Sequence, residues 1–203
     1  MSKIVSDTVK LLGHVINKNI TITIDDNATL KQIIGDDSLL QNVIMNLAIN
    51  ASYAMSEGGS LIFTLKNQIL DAEYCSTSPF EIESGNYVSI SVRDTGCGMT
   101  PEVQSHIFEP FYTTKVQGKG TGLGLATVYG TMQDHLGAIT VYSEPGAGTI
   151  FHLYFPITEL VQSTIEEVKA ITGSGTVLVI DDEELIRATA SAQLRSLGYK
   201  VIS

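Results

Sequence analysis

Apolar positions recur along the chain in two alternating periods. Ile4, Val5, Val9, Leu12 and Ile16 recur at helical spacing over residues 2–16, which suits the end of a helix. After a polar turn at Asn17–Asn19, Ile20, Ile22 and Ile24 alternate with Thr21 and Thr23, which is strand periodicity. Gly35-Asp36-Asp37-Ser38 predicts a helix start, because short polar side chains there accept from the unpaired amides of a first turn. The stripe Leu40, Val43, Ile44, Leu47, Ala48 and Ala51 carries that helix to about Met55, where Gly58-Gly59 stops it. Residues 60–69 and 87–93 predict strands joined by a polar stretch containing Pro79. From Gly96 to Gly124 periodicity fails and glycines crowd in; a structureless stretch of that length usually serves as a lid or flexible loop. A helix is expected near 123–135, then strands at 138–142 and 149–155 around Glu144-Pro145-Gly146.

Beyond residue 157 the pattern weakens. Residues 158–174 are acidic and suggest a linker. TVLVIDDEE then predicts an apolar strand ending in acids, followed by an amphipathic helix at about 183–197 and a strand opening at YKVIS. This is the beginning of a β-α-β unit.

Composition removes several function classes. The 203 residues are 43% hydrophobic and 17% charged, ample for one medium domain and something smaller. No run approaches the roughly 18 to 20 apolar residues of a membrane span, and the N-terminus lacks the features of a signal peptide. The expectation is a cytoplasmic chain without direct membrane contact. A net charge of −10, with no block of Lys and Arg, argues against nucleic acid as a ligand, since phosphate neutralisation drives that affinity. Cys75 and Cys97 have no CxxC spacing, and the histidines at 14, 106, 135 and 152 are scattered. Reduced thiols and no zinc site are expected.

Three stretches could carry chemistry. Asn46 and Asn50 stand four residues apart on the predicted helix, with Asn42 extending the row. Asparagine is a mediocre helix former, so its repetition is either a polar exposed face or a set of oxygen donors for a hard cation such as magnesium. Asp94 ends a strand and opens DTGCGM; it is either a plain strand exit or a buried acceptor for an amine such as adenine N6. GKGTGLGLATVYG, residues 118–130, frees backbone amides beside a helix start and makes a phosphate cradle, though a lone glycine-rich loop is a weak signal. It fits neither the P-loop nor the dinucleotide fingerprint. Lys115 and Lys119 flank it, either solvated or facing phosphate.

Taken in order, these motifs closely resemble the ATP-binding catalytic domain of sensor histidine kinases, within the group that includes DNA gyrase, MutL and heat-shock chaperone ATPases. NVIMNLAINASYAM is similar to the family's asparagine box, DTGCGM to its first glycine box, IFEPFYTTK to its phenylalanine box and GKGTGLGLA to its second glycine box. GAGTIF, residues 146–151, is similar to the closing glycine-threonine element, and the nearest flavour is that of the nitrogen-regulatory sensors. The resemblance implies an α/β two-layer sandwich: a mixed sheet covered on one face by helices, with a long ATP lid. It implies ATP and Mg2+ as ligands, with Asn50 supported by Asn46 at the metal and Asp94 on adenine N6, assisted by Thr149 through water. Gly96, Gly98 and Met99 would line the nucleotide. Gly120, Thr121, Gly122, Leu123 and Gly124 would wrap the phosphates with Lys115, and Phe108 and Phe111 would anchor the lid. Many relatives carry Lys or Arg two or three residues beyond the second asparagine, where this chain has Ser52 and Tyr53. Charge neutralisation must then lean on magnesium and on Lys115 or Lys119.

TVLVIDDEELIRATASAQLRSLGYKVIS resembles the opening of a response-regulator receiver domain, with Asp181 and Asp182 as its acidic, magnesium-holding pair. The implied division is residues 1–16 as the end of a dimerisation and phosphoacceptor helix, 17–157 as the ATP-binding domain, 158–174 as linker and 175–203 as a truncated receiver. None of the four histidines is followed by Glu or Asp, so the H-E pair of a phosphoacceptor hairpin is not among them. The expectation is a fragment of a hybrid histidine kinase that binds ATP and cannot label itself. Its partners would be its own helical hairpin and receiver and a cognate response regulator. Two other readings stay open, a chaperone- or DNA-repair-type ATPase of the same superfold and a non-catalytic interaction module.

Overall fold

The computed structural model describes residues 1–13, 15–30, 32–115, 120–158, 173–180 and 197–202, together with Arg187, Ser191, Leu194 and Arg195. The chain divides into two compact units, Met1–Glu159 and Leu160–Ser203.

In the first unit, α1 (Ser2–Leu12) buries Val5, Thr8 and Leu12 and packs against α2 (Asp37–Ala54). Between them runs β1 (Ile20–Asp26), and after them β2 (Gly59–Leu70). Asp36 begins α2 by accepting from the amides of Ser38 (2.7 Å) and Leu39 (3.1 Å), the capping expected from its sequence. The same two bonds, Leu39 first, hold its carboxyl below the usual range. The buried residues of α2 are Leu40, Val43, Ile44, Leu47, Ala48 and Ala51, the stripe its periodicity predicts.

The remaining elements are α3 (Ala72–Thr77), β3 (Gly85–Asp94), α4 (Pro101–His106), α5 (Gly124–Asp134), β4 (Ala138–Glu144) and β5 (Gly148–Pro156). The sheet order is β1-β2-β3-β5-β4, with β1 and β2 parallel and every other pair antiparallel. Helices α2 and α5 pack together over one face, α2 against β3 and β5 and α5 against β4. This is the mixed sheet under helices that the motifs imply, a two-layer sandwich. Register explains its core. Phe63, Val92 and Phe151 lie in one cross-strand row, and Leu65, Ile90 and Leu153 in the next. All six are buried beneath Leu40, Ile44, Leu47, Val128 and Met132. Each such side chain contributes about 1.5–3 kcal/mol on leaving water.

Two short helices were not foreseen. α3 forms in the polar stretch where Asp71 accepts from the Tyr74 amide, and α4 interrupts the lid where Thr100 accepts from Val103 with Pro101 at its first turn. Each spans six residues, too few turns for an apolar period to show.

In the second unit, β6 (Thr176–Leu178) and β7 (Lys200–Ile202) pair in parallel, as consecutive strands of a β-α-β unit do. Asp181 and Asp182, most of the expected linker and most of the expected 183–197 helix lie outside the described residues, as do His14, Gly118 and Lys119. No helix among the described residues is long and apolar enough to cross a membrane.

Candidate functional site

Strand alternation sends Asp94, the last residue of β3, to the helix-covered face at the end of the sheet. Its register partner on β5 is Thr149, whose partner on β4 is Ser143. The three therefore form one polar row at the edge of the apolar core, and all are buried. Asp94 Oδ1 accepts from the amides of Gly96 (2.9 Å) and Thr149 (3.2 Å). Both bonds from described residues fall on Oδ1, which leaves Oδ2 for a donor arriving from the cavity. Burial pushes the Asp94 carboxyl above its usual range, and the Gly96 and Thr149 amides pull it partly back.

Ser143 joins the row as a residue that motif reading missed. Its hydroxyl donates to Gly148 O (2.9 Å), accepts from Met99 N (2.8 Å) and lies 3.0 Å from Thr149 Oγ1. A hydroxyl has one proton, so with Ser143's used on Gly148 it is Thr149 that donates to Ser143. Thr149 then offers only lone pairs to the cavity. The signal for Ser143 was available: it continues the alternation of Ile139 and Val141 along β4, so a polar residue occupies a core-facing position.

The row forms one wall of a cavity of about 640 Å3. The opposite wall is α2, which contributes Asn46, Ile49, Asn50, Tyr53 and Ala54. Asn42 is exposed and takes no part, because one turn earlier the helix faces solvent. Asn50 Oδ1 accepts from the Lys115 ammonium at 2.9 Å, and that ammonium stands 3.9 Å from the centre of the Tyr53 ring. Burial lowers the Lys115 pKa. Asn46 Oδ1 faces Gly124, where a Cβ would approach it to 3.3 Å.

The third wall is the lid and the start of α5. Gly120, Thr121, Gly122 and Gly124 line the cavity, and α5 starts at Gly124 with Leu123 as an N-cap that makes no side-chain cap bond; the Leu123 amide itself donates to Thr121 Oγ1 at 3.3 Å. Leu123 itself is 41% exposed and does not line the cavity. Gly122 has φ of 68°, and a Cβ there would meet the Phe111 carbonyl carbon at 2.3 Å.

Two expectations change. Phe108 packs on the core, 5.4 Å from the Tyr129 ring. Phe111 does not: its ring is 75% exposed and its φ is 68°. What ties residue 111 to the lid is its backbone amide, which donates to Gly122 O at 3.0 Å. The resemblance implies that Gly96 and Gly98 line the nucleotide. A Cβ at Gly96 would instead strike Ala54 at 2.6 Å, and one at Gly98, whose φ is 66°, would strike Glu144 O at 1.9 Å. These glycines let the loop close against α2 and β4, and Gly98 and Met99 line the cavity as a consequence.

A chamber lined by one buried carboxylate, the amide side chains of one helix and the glycine-rich start of another defines a class of nucleotide site. Residues 35–159 match the family of histidine kinase-, DNA gyrase B- and HSP90-like ATPases, and the chain belongs to that family. Among individual proteins, it is 35% identical to sensor kinase CckA of Brucella abortus over 99% of its own length and 22% of that protein's. It is 34% identical to sporulation kinase E of Bacillus subtilis over 78% of this chain and 19% of that one. The chain thus spans about a fifth of the length of these relatives. The catalytic domain of histidine kinase ThkA superposes with a TM-score of 0.61 at 26% identity, covering 78% of this chain and 93% of that one. Full-length ShkA in complex with AMPPNP gives 0.59 at 25%, covering 98% and 38%.

Proposed function

We propose that the first unit binds Mg-ATP as the catalytic domain of a hybrid sensor histidine kinase. The observation that carries this is Asp94, a buried carboxylate lining a cavity of nucleotide size whose bonds from described residues both fall on Oδ1. Asp94 Oδ2 accepts from adenine N6, and Thr149, restricted to accepting, holds a water on the same edge. Met99 and Gly98 line the base. The residues at the other end fit a metal-bound polyphosphate, since Asn50 Oδ1 already faces a cation, the Lys115 ammonium. Magnesium, when bound, would neutralise phosphate charge there; Asn50 and Asn46 would hold it through hard amide oxygens. Gly120, Thr121, Gly122 and the first amides of α5 receive the phosphates, with Leu123 placing that helix start. Lys115 supplies the positive charge on this wall.

In the whole protein, a histidine nitrogen on a separate helical hairpin attacks the γ-phosphorus, the bond to the β–γ bridging oxygen breaks, and ADP leaves. The protein's part in that transfer is positioning and charge stabilisation. The division of labour is the one expected from the sequence: residues 1–16 end the hairpin, 17–157 bind ATP, 158–174 link, and 175–203 open a receiver in which Asp181 and Asp182 form the acidic pair. A cognate response regulator receives the phosphoryl group, and the domain works on the cytoplasmic side.

Calorimetry with a non-hydrolysable ATP analogue and magnesium tests the site. Binding by the wild type that is lost in both Asn50→Ala and Asp94→Ala is the expected result; retention in both variants sinks the assignment. Incubation with radiolabelled ATP should leave this chain without phosphohistidine, because none of its histidines lies in an H-E pair.

A further inference from the structure

The phosphate end of the cavity holds little positive charge. Among the described lining residues Lys115 is the one cation, and it must serve a ligand carrying up to four negative charges. A lysine on a lid stem has four rotatable carbons and would ordinarily sweep a wide arc. Here four contacts confine it. Its ammonium stands 3.9 Å above the Tyr53 ring and 2.9 Å from Asn50 Oδ1. Its stem lies against Gly120, where a Cβ would meet Lys115 Cδ at 3.0 Å and Cβ at 3.4 Å. Its own amide donates to Thr113 Oγ1 at 3.2 Å, which fixes the turn it leaves from.

Tyr53 lies three residues after Asn50 on α2, so both face the cavity from one side of the helix. Its ring is 55% exposed, which makes it a poor core residue but an available π face. The two partners of the ammonium differ in what a ligand does to them. Asn50 Oδ1 is an oxygen that a metal would claim, and a lysine relying on it alone would be displaced. The Tyr53 face offers nothing to a metal or a phosphate, so the ammonium keeps that contact while its N–H donors turn to the ligand.

We infer that Tyr53 is a positioning residue for the phosphate site, its ring holding the Lys115 ammonium at the terminal phosphate and leaving Asn50 free for other duty. This rests on the reading of the cavity as an ATP site and deepens it: the Tyr53–Lys115 pair sets discrimination for the triphosphate over shorter ligands. The pair places on two elements, helix and lid, the charge that a single helix residue could otherwise supply.

The test is calorimetric titration of the full chain with ATP, ADP and adenosine in the presence of magnesium. Tyr53→Leu should weaken ATP by about 3- to 30-fold, the range expected for losing a cation–π contact. ADP should weaken less and adenosine not at all. Tyr53→Phe keeps the ring and should restore the wild-type order. Lys115→Met should lose ATP affinity to at least the same degree, and adding Tyr53→Leu to it should cost nothing more, because the ring acts through the lysine. Equal weakening of all three ligands by Tyr53→Leu, a full loss in Tyr53→Phe, or additive losses in the double variant would each overturn the inference. The adenosine arm keeps it separable from the parent reading. A wild type that bound adenosine without preferring ATP would defeat the positioning role alone, whereas one that bound no adenine ligand would defeat both.

Discussion

In the proposed site, Asp94 divides its work between two oxygens, which separates its structural role from its proposed binding role. Oδ1 closes the loop through Gly96 and Thr149, a task an amide oxygen performs equally well. Oδ2 must be an acceptor to meet an amine, and an NH2 group there would oppose it. Asp94→Asn is therefore expected to fold normally yet lose ATP affinity by roughly 10- to 100-fold, measured by calorimetry beside thermal melts. The sign of its stability effect follows from burial. A carboxyl whose folded pKa is raised favours the folded state when protonated, and that contribution disappears as pH rises through the folded value. Above the folded value the buried carboxylate is thus a liability, and the Asn variant should melt there at the same temperature or higher. For the same reason ATP affinity should fall as pH drops into the raised range. A second residue stores strain without evident use. Leu136 has φ of 51° at the end of α5, where its amide donates to Gln133 O (2.9 Å) and that of Gly137 to Met132 O (2.8 Å). That pair of bonds is a Schellman motif with leucine in the position glycine favours. Leu136 is also 68% exposed, so little packing is at stake. Leu136→Gly should stabilise by about 0.5–1 kcal/mol, read as a rise in melting temperature.

At the scale of elements, one ring and one backbone bond tie the phenylalanine segment to α5 and to the glycine-rich loop before it. Phe108 packs beside Tyr129, which extends from α5, so it ties the phenylalanine segment to the helix that starts at the proposed phosphate site. Phe111 contributes an amide and a strained turn against Gly122 while its ring faces solvent. Phe108→Ala should cost about 1–3 kcal/mol, whereas Phe111→Ala should stay within about 0.5 kcal/mol by chemical denaturation. Comparable losses in both variants would show that the Phe111 ring is packed. Helix α5 is tied at its other end as well: His135 Nδ1 bonds Thr131 O at 2.7 Å, and Nε2 accepts from Asp36 N at 3.2 Å. Because one nitrogen donates to a carbonyl and the other accepts from an amide, the ring there is the neutral Nδ1–H form. Gly35 presses against that ring, where a Cβ would come within 2.5 Å. The helix of the asparagines and the helix of the lid are thus joined at the ends remote from the cavity.

For the molecule as a whole, a ligand that binds only the folded cavity stabilises it by mass action. Mg-ATP at about a hundred times its dissociation constant should add roughly 2.7 kcal/mol and raise the melting temperature. Cys97 provides a local reporter of the same event, being exposed and lining the cavity, whereas Cys75 is half-buried and lies outside it on α3. Saturating nucleotide should slow alkylation of Cys97 by a maleimide and leave Cys75 unaffected, as mass spectrometry of the labelled peptides would reveal. Equal rates at Cys97 with and without nucleotide would place the ligand elsewhere.

Legible in the order of residues alone are the elements long enough to show a period and the residues whose chemistry is local. The α2 stripe, its Asp36 cap and the strand alternation are readable because helix and strand geometry repeat over every turn or pair of residues. Within the glycine motifs, Gly98 and Gly122 are legible for a local reason too, since each takes a positive φ that glycine adopts without strain. What the tertiary structure decided depends on residues far apart in the chain. That Asp94, Thr149 and Ser143 form one row follows from strand register, which no single strand records. That Gly98 makes room for a carbonyl of β4, that the Phe111 ring points outward, and that Lys115 settles between Tyr53 and Asn50 are facts of how the loops close over the sheet. A pattern along the chain fixes which face a side chain takes; only packing fixes what it meets there.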